Sequence, residues 1–321
     1  MRVGAIDIGS NSVRLLVAEV HGPGARDGSL ETVARAGEPC RLGRGLHQSG
    51  RIEPEMVSRA AAIAHEFARR AKALGAVHVV AGATAALRSA ENGEEVAAAI
   101  SQRSGVPVRI LSGEDEAGLV YRSVVLGLGA RARDSQCVVF DLGGGSTEVV
   151  SGVGVRAGRW TSIAIGAVSL TERLLEHDPP DAAAIEGARR SISEELMHGC
   201  ALLPERTNLL AGVGGTVTVL ASLDRELTEY DPNELEGWYI GGARARALID
   251  RIVRASQTER RQLPIMGEGR ADIIGAGALV VEALIERFQA PGLVCSTQGL
   301  RYGLARLAAE EWQAGSSPAG S

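Results

Sequence analysis

Short apolar runs and longer amphipathic stretches alternate along the chain. The first two runs, residues 2–8 and 12–20, are rich in β-branched residues and are joined by three turn-forming residues, Gly9-Ser10-Asn11. Pro54 then opens a stretch with apolar residues at helical spacing, which ends at Gly75. The pattern therefore predicts a strand, a tight turn, a returning strand and a long helix.

The alternation of strands and helices continues through the first 135 residues. Further elements are expected as strands over 77–81 and 107–111 and helices starting near 92 and 112. Asn92 with Glu95 has the spacing of a capping box, and Ser112 with Asp115 predicts a second capped helix start. The pattern is that of an α/β domain.

At residue 137 the opening pattern returns. The segment AIDIGSNSVR (residues 5–14) matches VFDLGGGSTE (residues 139–148), and each position lies 134 residues after its counterpart. Such a repeat predicts two similar α/β halves facing each other across a central cleft, where ligands usually bind.

The second half again mixes helices and strands. We expect helices over 166–175, 181–200, 216–223, 243–255 and 271–288, and strands over 208–213 and 292–295. The predicted domains are 1–127 and 128–299, with a final helix over 300–312 packing back on the first domain and a disordered tail over 313–321.

Composition and charge narrow the class of protein. With 45% hydrophobic and 23% charged residues, the 321-residue chain is expected to be a soluble globular protein of two domains. A net charge of −5 argues against nucleic acid or a membrane surface as partner. The four cysteines lack metal-ligand spacing, and the N-terminus lacks a secretion signal, so we expect a cytoplasmic protein.

The glycine turn of the second half has the properties of a phosphate-binding loop. It comprises Gly143, Gly144, Gly145, Ser146 and Thr147. Glycine lacks the Cβ that keeps the main chain away from an anion, so successive amides can point at one oxyanion. A tight hairpin is the alternative interpretation of the same residues.

Two carboxylates flank this loop, Asp141 and Glu148. They would repel a phosphate unless a cation lay between, and Mg²⁺ is typically bound by one or two carboxylates together with phosphate oxygens. Asp7 occupies the position that matches Asp141 and is the third candidate metal ligand.

Two other turns offer groups to an anion. In the first half, Ser10, Asn11 and Ser12 supply amides and hydroxyls in place of bare glycine. In the second half, Gly214, Gly215 and Thr216 join a strand to a helix N-terminus, which favours an anion. Three such turns predict a ligand with several phosphates.

A third acid, Glu116, is a candidate general base, since hydrolysis at phosphorus needs a carboxylate that orients and deprotonates water. An acid in the first helical turn also simply complements the helix dipole, which is the alternative. Arg14 and Arg88 are candidate clamps on phosphate oxygens, or solvated surface residues.

Taken together, these motifs resemble the exopolyphosphatase and guanosine pentaphosphate phosphatase family, within the superfamily of actin-like, sugar-kinase-like and Hsp70-like folds. The segments that carry the resemblance are DIGSNSVR (7–14), RLG (41–43), ATAALRSAEN (83–92), SGEDEA (112–117), DLGGGSTE (141–148), GVGGT (212–216), RADIIG (270–275) and GLRYG (299–303). They cover nearly the whole chain in the family's order.

The resemblance implies two duplicated ribonuclease-H-like domains and Mg²⁺-dependent hydrolysis of a terminal phosphoanhydride. It assigns the catalytic glutamate to Glu116, the metal-associated acids to Asp141 and Glu148, and phosphate binding to the glycine loops and to the segment with Thr84 and Arg88. The implied substrate is linear polyphosphate or guanosine pentaphosphate, and the residues leave that choice open.

The chain departs from the family in two places. Longer members continue into a helical domain resembling HD-type hydrolases, whereas this sequence stops at Ser321, so we expect the duplicated core alone and a preference for short polyphosphates. Where the family often has a histidine before glycine, this chain has Glu236 before Gly237.

Other functions remain open at this point. A kinase of the same superfamily would use similar loops, and a non-catalytic sensor would bind guanosine penta- or tetraphosphate without cleaving it. The segments around Arg88 and Glu116 favour the hydrolase. Oligomeric state is also open, with a homodimer as the candidate because homodimers are the commonest soluble oligomers.

Overall fold

The computed structural model describes residues 1–21, 29–175, 177–266 and 269–316, which form two compact units. Unit 1 comprises Met1–Ser123 together with the described residues from Leu300 onward, and unit 2 is Val124–Gly299. The change from one unit to the other and the predicted boundary at 127/128 both lie within one helix, α5 (Gly113–Leu128).

Unit 1 is a mixed sheet with helices. Its strands are β1 (Arg2–Ile8), β2 (Ser12–His21), β3 (Ser29–Pro39), β4 (His78–Ala83) and β5 (Val108–Ile110). Its helices are α1 (Leu46–Ser49), α2 (Pro54–Ala73), α3 (Ala85–Ser89), α4 (Gly93–Ser104), the first part of α5, and α14 (Leu300–Ser316). The chain thus returns to unit 1 at its end, and α14 packs against β1 and β4.

Unit 2 repeats the architecture. Its strands are β6 (Gln136–Leu142), β7 (Thr147–Val153), β8 (Arg156–Ile163), β9 (Leu209–Val213), β10 (Tyr239–Gly241) and β11 (Gly292–Cys295). Its helices beyond α5 are α6 (Ala130–Arg133), α7 (Ala167–Leu174), α8 (Ala182–Gly199), α9 (Gly215–Asp224), α10 (Pro232–Leu235), α11 (Gly242–Arg254), α12 (Gln257–Arg261) and α13 (Ile274–Arg287).

The two sheets share one topology. Unit 1 has the strand order β3-β2-β1-β4-β5, and unit 2 has β8-β7-β6-β9-β11 with β10 added at the far edge. In both, the first three strands are antiparallel neighbours and the fourth pairs in parallel with the first. The predicted fold class, two duplicated ribonuclease-H-like α/β units, is confirmed. The sequence pattern does not predict β3, β8 or β10.

Small residues compensate for the scarcity of aromatic side chains in the core of unit 1. Helix α2 presents a buried face of alanines around Phe67, and that face approaches β1 closely. A Cβ placed on Gly4 of β1 would lie 3.0 Å from the Cβ of Ala71. Close helix-to-sheet packing therefore fills the space that larger side chains occupy in other cores.

The core of unit 2 surrounds α13, in which every residue from Ile274 to Ile285 is buried. Its glycines allow close packing, since a Cβ on Gly277 would lie 2.4 Å from the hydroxyl of Thr216. This helix contains the longest apolar run of the sequence. Within the described residues, no helix is long and apolar enough to cross a bilayer.

Both predicted helix starts are confirmed, but one of the two predicted side-chain caps is wrong. Ser112 Oγ accepts a hydrogen bond from the Asp115 amide at 3.0 Å and donates to the Asp115 carboxylate at 2.7 Å, which caps α5. Asn92 makes no side-chain cap for α4; its amide group instead pairs with the backbone N–H and C=O of Ile52 at 2.9 and 3.0 Å. A buried long-range partner competes successfully with the local cap.

The predicted tail begins too early. Helix α14 continues through residues 313–316, and residues 317–321 lie outside the described residues.

A buried carboxylate ties three helices of unit 2 together. Glu282 of α13 is 7% exposed and accepts a hydrogen bond from Arg189 Nε of α8 at 2.8 Å, while Arg246 Nε of α11 lies 3.8 Å away. Arg189 also donates to Asp250 of α11 at 2.6 Å. Such a pair is expensive to break because a buried charge is then left without its partner.

We therefore expect Arg189→Ala to lower the free energy of unfolding by about 1–3 kcal/mol, the usual loss when a buried polar group loses its partner. Arg173→Ala is the matched control, because the Arg173–Glu195 pair is partly exposed and is expected to contribute less than about 1 kcal/mol. Urea unfolding followed by circular dichroism measures both. Equal effects of the two substitutions would contradict a special role for the Glu282 network.

Candidate functional site

Two of the three predicted anion-binding turns, those at residues 9–12 and 143–146, close with the same main-chain hydrogen bond. In unit 1 the Gly9 amide donates to the Ser12 carbonyl at 3.0 Å, and in unit 2 the Gly143 amide donates to the Ser146 carbonyl, also at 3.0 Å. The repeat seen in the sequence is thus a repeat of the turn itself, at the same offset of 134 positions.

In unit 2 the turn is anchored through its carbonyl groups by the start of α7. The Gly143 carbonyl accepts from the Ala167 amide at 3.0 Å, and the Gly144 carbonyl accepts from Val168 at 2.8 Å and Ser169 at 3.1 Å. In a planar trans peptide the C=O of one residue and the N–H of the next point in opposite directions. The anchored carbonyls therefore direct the next two amides away from α7.

Those two amides belong to Gly144 and Gly145, both of which are exposed. Within the described ranges neither amide donates to a protein acceptor. Exposed adjacent amides of this kind bind anions well, because each contributes a donor at fixed direction without a net charge.

Glycine at position 166 is required for this anchoring. A Cβ on Gly166 would lie 2.4 Å from both the carbon and the oxygen of the Gly144 carbonyl. The N-terminus of α7 can therefore approach the turn only because residue 166 has no side chain.

Unit 1 also anchors two successive carbonyls of its turn, but with a different donor segment and one position further along the turn than in unit 2. The Ser10 carbonyl accepts from the Gly43 amide at 2.8 Å, and the Asn11 carbonyl accepts from Cys40 at 2.9 Å and Arg41 at 3.0 Å. Arg41 itself has the left-handed φ of 57°. In both units, the segment after the third strand holds the carbonyls of the turn.

The acids of unit 2 lie in one row across the sheet. Asp141 of β6 is directly opposite Glu148 of β7, and Glu148 is directly opposite Ser162 of β8. Glu148 Oε1 accepts hydrogen bonds from Ser146 Oγ at 2.7 Å and Ser162 Oγ at 2.8 Å. The sequence analysis did not identify Ser162, since its strand was not predicted.

The donor set suits a cation that is shared with a ligand. No group of three or more His, Cys, Asp or Glu side chains capable of holding a metal occurs among the described residues. Asp141 and Glu148 form a pair of carboxylates, which is the set that Mg²⁺ uses when phosphate oxygens and water complete its coordination.

The equivalent row in unit 1 carries a different charge pattern. Asp7 of β1 lies opposite Arg14 of β2, at the positions that match Asp141 and Glu148. Burial raises the pKa of Asp7, while the positive charges of Arg14 and Arg301 oppose that rise. Arg301 stands at the start of α14, and burial together with the repulsion of Arg14 lowers its pKa. Sequence reasoning gave Arg301 no role, although it lies in a family motif.

Glu116 and Arg88, predicted as base and phosphate clamp, contact each other. Arg88 Nη1 donates to Glu116 Oε2 at 2.9 Å and to the Leu111 carbonyl at 2.9 Å. The capped start of α5 places Glu116 in the first turn of the helix. In this structure Arg88 therefore orients the carboxylate of Glu116.

The third predicted turn begins α9. Gly214 has a φ of 110°, and a Cβ there would lie 2.6 Å from the Leu142 carbonyl oxygen, so a side chain is excluded. Next to it, the guanidinium of Arg270 lies 3.7 Å from the position of a Cβ on Gly215. Arg270 is exposed and was not among the predicted site residues, although its motif was recognised.

The three predicted threonines are buried. Thr147 Oγ1 donates to the Ile165 carbonyl at 2.5 Å, and Thr216 packs against Gly277. Thr84 is buried at the start of α3, where its amide donates to the Ile8 carbonyl at 3.2 Å. Because the Thr147 hydroxyl is bound to the main chain, it holds the turn in place, and phosphate binding at Thr147 stays a prediction.

Glu236, the residue at the family's histidine position, binds the main chain that follows β11. Its carboxylate accepts from Ser296 Oγ at 2.9 Å, from the Thr297 amide at 2.6 Å and from Thr297 Oγ1 at 2.8 Å. Burial of Cys295 raises the pKa of its thiol, and the negative charge of Glu236 raises that pKa further. The substitution is thus accommodated by a structural role.

The anchoring of the turn in unit 2 can be tested with Gly166→Ala. The added methyl group must displace the Gly144 carbonyl, so we expect stability to fall by about 1–3 kcal/mol, as for other overpacked sites. Affinity for tripolyphosphate should fall as well, because the two exposed amides lose their direction. Thermal unfolding and calorimetric titration measure these effects.

The control is Gly187→Ala in α8, where a Cβ meets nothing within 4 Å. It should leave tripolyphosphate affinity unchanged and hold or raise stability, since alanine favours a helix more than glycine does. If Gly166→Ala retained both stability and affinity, the anchoring would not matter for anion binding.

Comparison with known proteins finds relatives that are similar to this chain over most of its length. "Exopolyphosphatase 2" of Mycobacterium tuberculosis is 36% identical over 289 residues, which cover 88% of this chain and 89% of the relative. A guanosine-5'-triphosphate,3'-diphosphate pyrophosphatase of Vibrio vulnificus is 29% identical over 305 residues, 94% of this chain and 58% of the longer relative.

Among solved structures, the Ppx/GppA family member of Aquifex aeolicus matches with a TM-score of 0.86 and 29% identity, over 99% of both chains. The sequence model of the Ppx/GppA phosphatase family matches residues 23–308. The chain therefore belongs to the Ppx/GppA phosphatase family.

Proposed function

We propose that the protein is an exopolyphosphatase, a phosphoanhydride hydrolase that releases orthophosphate from the end of linear polyphosphate. The observation that carries the proposal is the anchored turn of unit 2, with two exposed amides and the carboxylates of Asp141 and Glu148 on the adjoining strands. The relative that shares 36% of its residues is named for this activity.

The chemistry of the turns supports a substrate recognised through its phosphates. Main-chain amides of Gly144 and Gly145, and those that follow the anchored carbonyls of Ser10 and Asn11, provide donors for anionic oxygens. Donors of this kind distinguish charge and shape, and they do not read a sugar or a base. The repeated phosphates of polyphosphate suit a chain with several such turns.

Hydrolysis requires a base, and Glu116 is the residue proposed for it. Its carboxylate takes a proton from water, and the water oxygen forms a bond to the terminal phosphorus while the bridging P–O bond breaks. The leaving oxygen keeps the electron pair of that bond, so the products are orthophosphate and a chain one phosphate shorter. Arg88 holds Glu116 in place during this step.

We further propose Mg²⁺ as the cofactor, with Asp141 and Glu148 as its protein ligands. When bound, Mg²⁺ offsets negative charge on the phosphate oxygens. Glu148 contributes an oxygen whose direction is fixed, since its other oxygen is held by two serine hydroxyls. Asp7, the third predicted ligand, interacts with the positive charges of Arg14 and Arg301 in unit 1, so we propose that it balances those charges instead of binding the metal.

The cell compartment and assembly complete the proposal. We propose a cytoplasmic enzyme, because the four cysteines are buried free thiols, as a reducing environment maintains them. A homodimer is proposed as its assembly on the prevalence of that state, and light scattering at micromolar concentration tests it.

A guanosine pentaphosphate phosphohydrolase is the second candidate. The Vibrio vulnificus relative is named for action on that class of nucleotide, and the bond cleaved is the same terminal phosphoanhydride. Steady-state rates on polyphosphates of defined length, guanosine pentaphosphate and ATP discriminate between the two. Release of orthophosphate without any acceptor alcohol would exclude a kinase, and binding without release would indicate a sensor.

The proposed base is tested by Glu116→Gln, which keeps the shape of the side chain but cannot take up the proton. We expect the rate of phosphate release to fall by about 10²- to 10⁴-fold, the usual contribution of general base catalysis. Glu114→Gln is the matched control, since Glu114 is an exposed acid in the same helical turn, and its rate should equal that of the wild type. A rate unchanged in Glu116→Gln would remove Glu116 from the mechanism.

Removal of Mg²⁺ gives a separate prediction. Chelation should abolish phosphate release, and readdition of Mg²⁺ should restore it, because two adjacent carboxylates would otherwise repel the phosphate chain. A wild-type enzyme that turned over polyphosphate at full rate in excess chelator would contradict the proposed cofactor, while leaving the proposed hydrolase activity intact.

A further inference from the structure

Ser162 is an exposed serine on an edge strand whose hydroxyl is nevertheless bound to a carboxylate. It belongs to β8, the outermost strand of its sheet, and lies directly opposite Glu148 of β7. Its hydroxyl donates to Glu148 Oε1 at 2.8 Å, although water could reach and satisfy it.

A second hydroxyl binds the same oxygen from another direction. Ser146, in the glycine turn, donates to Glu148 Oε1 at 2.7 Å. The two donors come from separate segments, a turn and a neighbouring strand, so together they fix both the position and the rotation of the carboxylate. Within the described residues, Glu148 Oε2 accepts no hydrogen bond from the protein.

A second carboxylate lies next to Glu148. Asp141 is directly opposite Glu148 on the other side, so two carboxylates are adjacent in the sheet. Hydrogen bonds to a ligating carboxylate orient it. Ser162 and Ser146 therefore hold Oε1 of Glu148 and leave Oε2 available beside Asp141.

We propose that Ser162 is a positioning residue for Glu148: its hydroxyl, together with that of Ser146, occupies Oε1 so that Oε2 alone serves Mg²⁺ bound with the phosphate chain. The inference rests on the proposed function, since it concerns the metal of that reaction. Residues that orient metal ligands in this way commonly change metal affinity or activity by about 10- to 100-fold when they are removed.

The first experiment compares Ser162→Ala with Ser162→Thr and Ser151→Ala. We expect Ser162→Ala to lower kcat about 10- to 100-fold, with thermal stability unchanged because the side chain is exposed. Ser162→Thr retains the hydroxyl and should recover most of the rate. Ser151 is the matched control, because it lies on the same pair of strands but donates to the Arg159 carbonyl at 3.2 Å.

The second experiment asks whether Ser162 acts through Glu148. Ser162→Ala is introduced into the Glu148→Gln variant. If Ser162 has only a positioning role, the double variant should be no slower than Glu148→Gln alone, since there is no longer a carboxylate to position. A further tenfold loss in the double variant would show an independent role and overturn the proposal.

The third experiment measures binding without turnover. In the Glu116→Gln background, calorimetry gives the Kd of tripolyphosphate with Mg²⁺ and with excess chelator. Ser162→Ala should weaken binding at least tenfold in Mg²⁺ and leave the Kd in chelator unchanged. Equal Kd values for Ser162→Ala and its parent in Mg²⁺, or equal weakening in both conditions, would overturn the role of Ser162 toward the metal.

Failure of this inference and failure of the proposed function have different signatures. If the wild type releases no phosphate from polyphosphate or guanosine pentaphosphate, the proposed function fails. If the wild type is active and Glu148→Gln is impaired, but Ser162→Ala matches the wild type in rate and in both binding measurements, only the inference about Ser162 fails.

Discussion

The two candidate anion-binding turns, one in each unit, depend on the anchoring of their carbonyl groups. The C=O and N–H of one peptide point in opposite directions, so a carbonyl held by the protein gives the amide of the same peptide a fixed direction away from its anchor. In unit 2 the start of α7 supplies the donors, and Gly166 makes the necessary approach. The planarity of the peptide then sets the direction of the Gly144 and Gly145 amides. The direction of these two exposed amides is thus set by the start of α7, whose own amides are occupied by the carbonyls of the turn.

The same scaffold has acquired different chemistry in its two copies. Position for position, unit 1 has Arg14 where unit 2 has Glu148, and each lies opposite an aspartate. An aspartate beside an arginine is a charge-balanced pair, whereas two adjacent carboxylates are a donor set that Mg²⁺ commonly uses. Because the hairpin register is the same, the residue type at this one position sets the charge of the row in each unit. The two copies therefore share a main-chain arrangement and differ in the charge that it carries.

The parts of the site that sequence predicts are those within one hairpin. The offset of 134 positions identifies Asp7 and Asp141 and both turns, since spacing along a strand and a turn is fixed by local geometry. Strand β8 escapes prediction because its residues are almost all exposed and show no alternation, and Ser162 is missed with it. Contacts such as Arg88 with Glu116 join residues far apart in sequence, so no local pattern can reveal them. Asn92 shows the converse error, where a correct local signal is overridden by a buried partner, Ile52.

The net charge of −5 is compatible with a polyanionic substrate because the binding groups of the turns are dipoles and not charges. An amide directed at a phosphate contributes attraction without a lysine or arginine, and its effect decays within a few ångströms, so the acidic remainder of the surface hardly alters it. Acids next to the turn do affect a bound anion, because Asp141 and Glu148 flank the anchored turn on its two strands. Their repulsion disfavours a bare phosphate chain, which is the physical reason for proposing that a cation accompanies it. The two serine hydroxyls on Glu148 fix the direction of one of these carboxylates, because both hold the same oxygen of it.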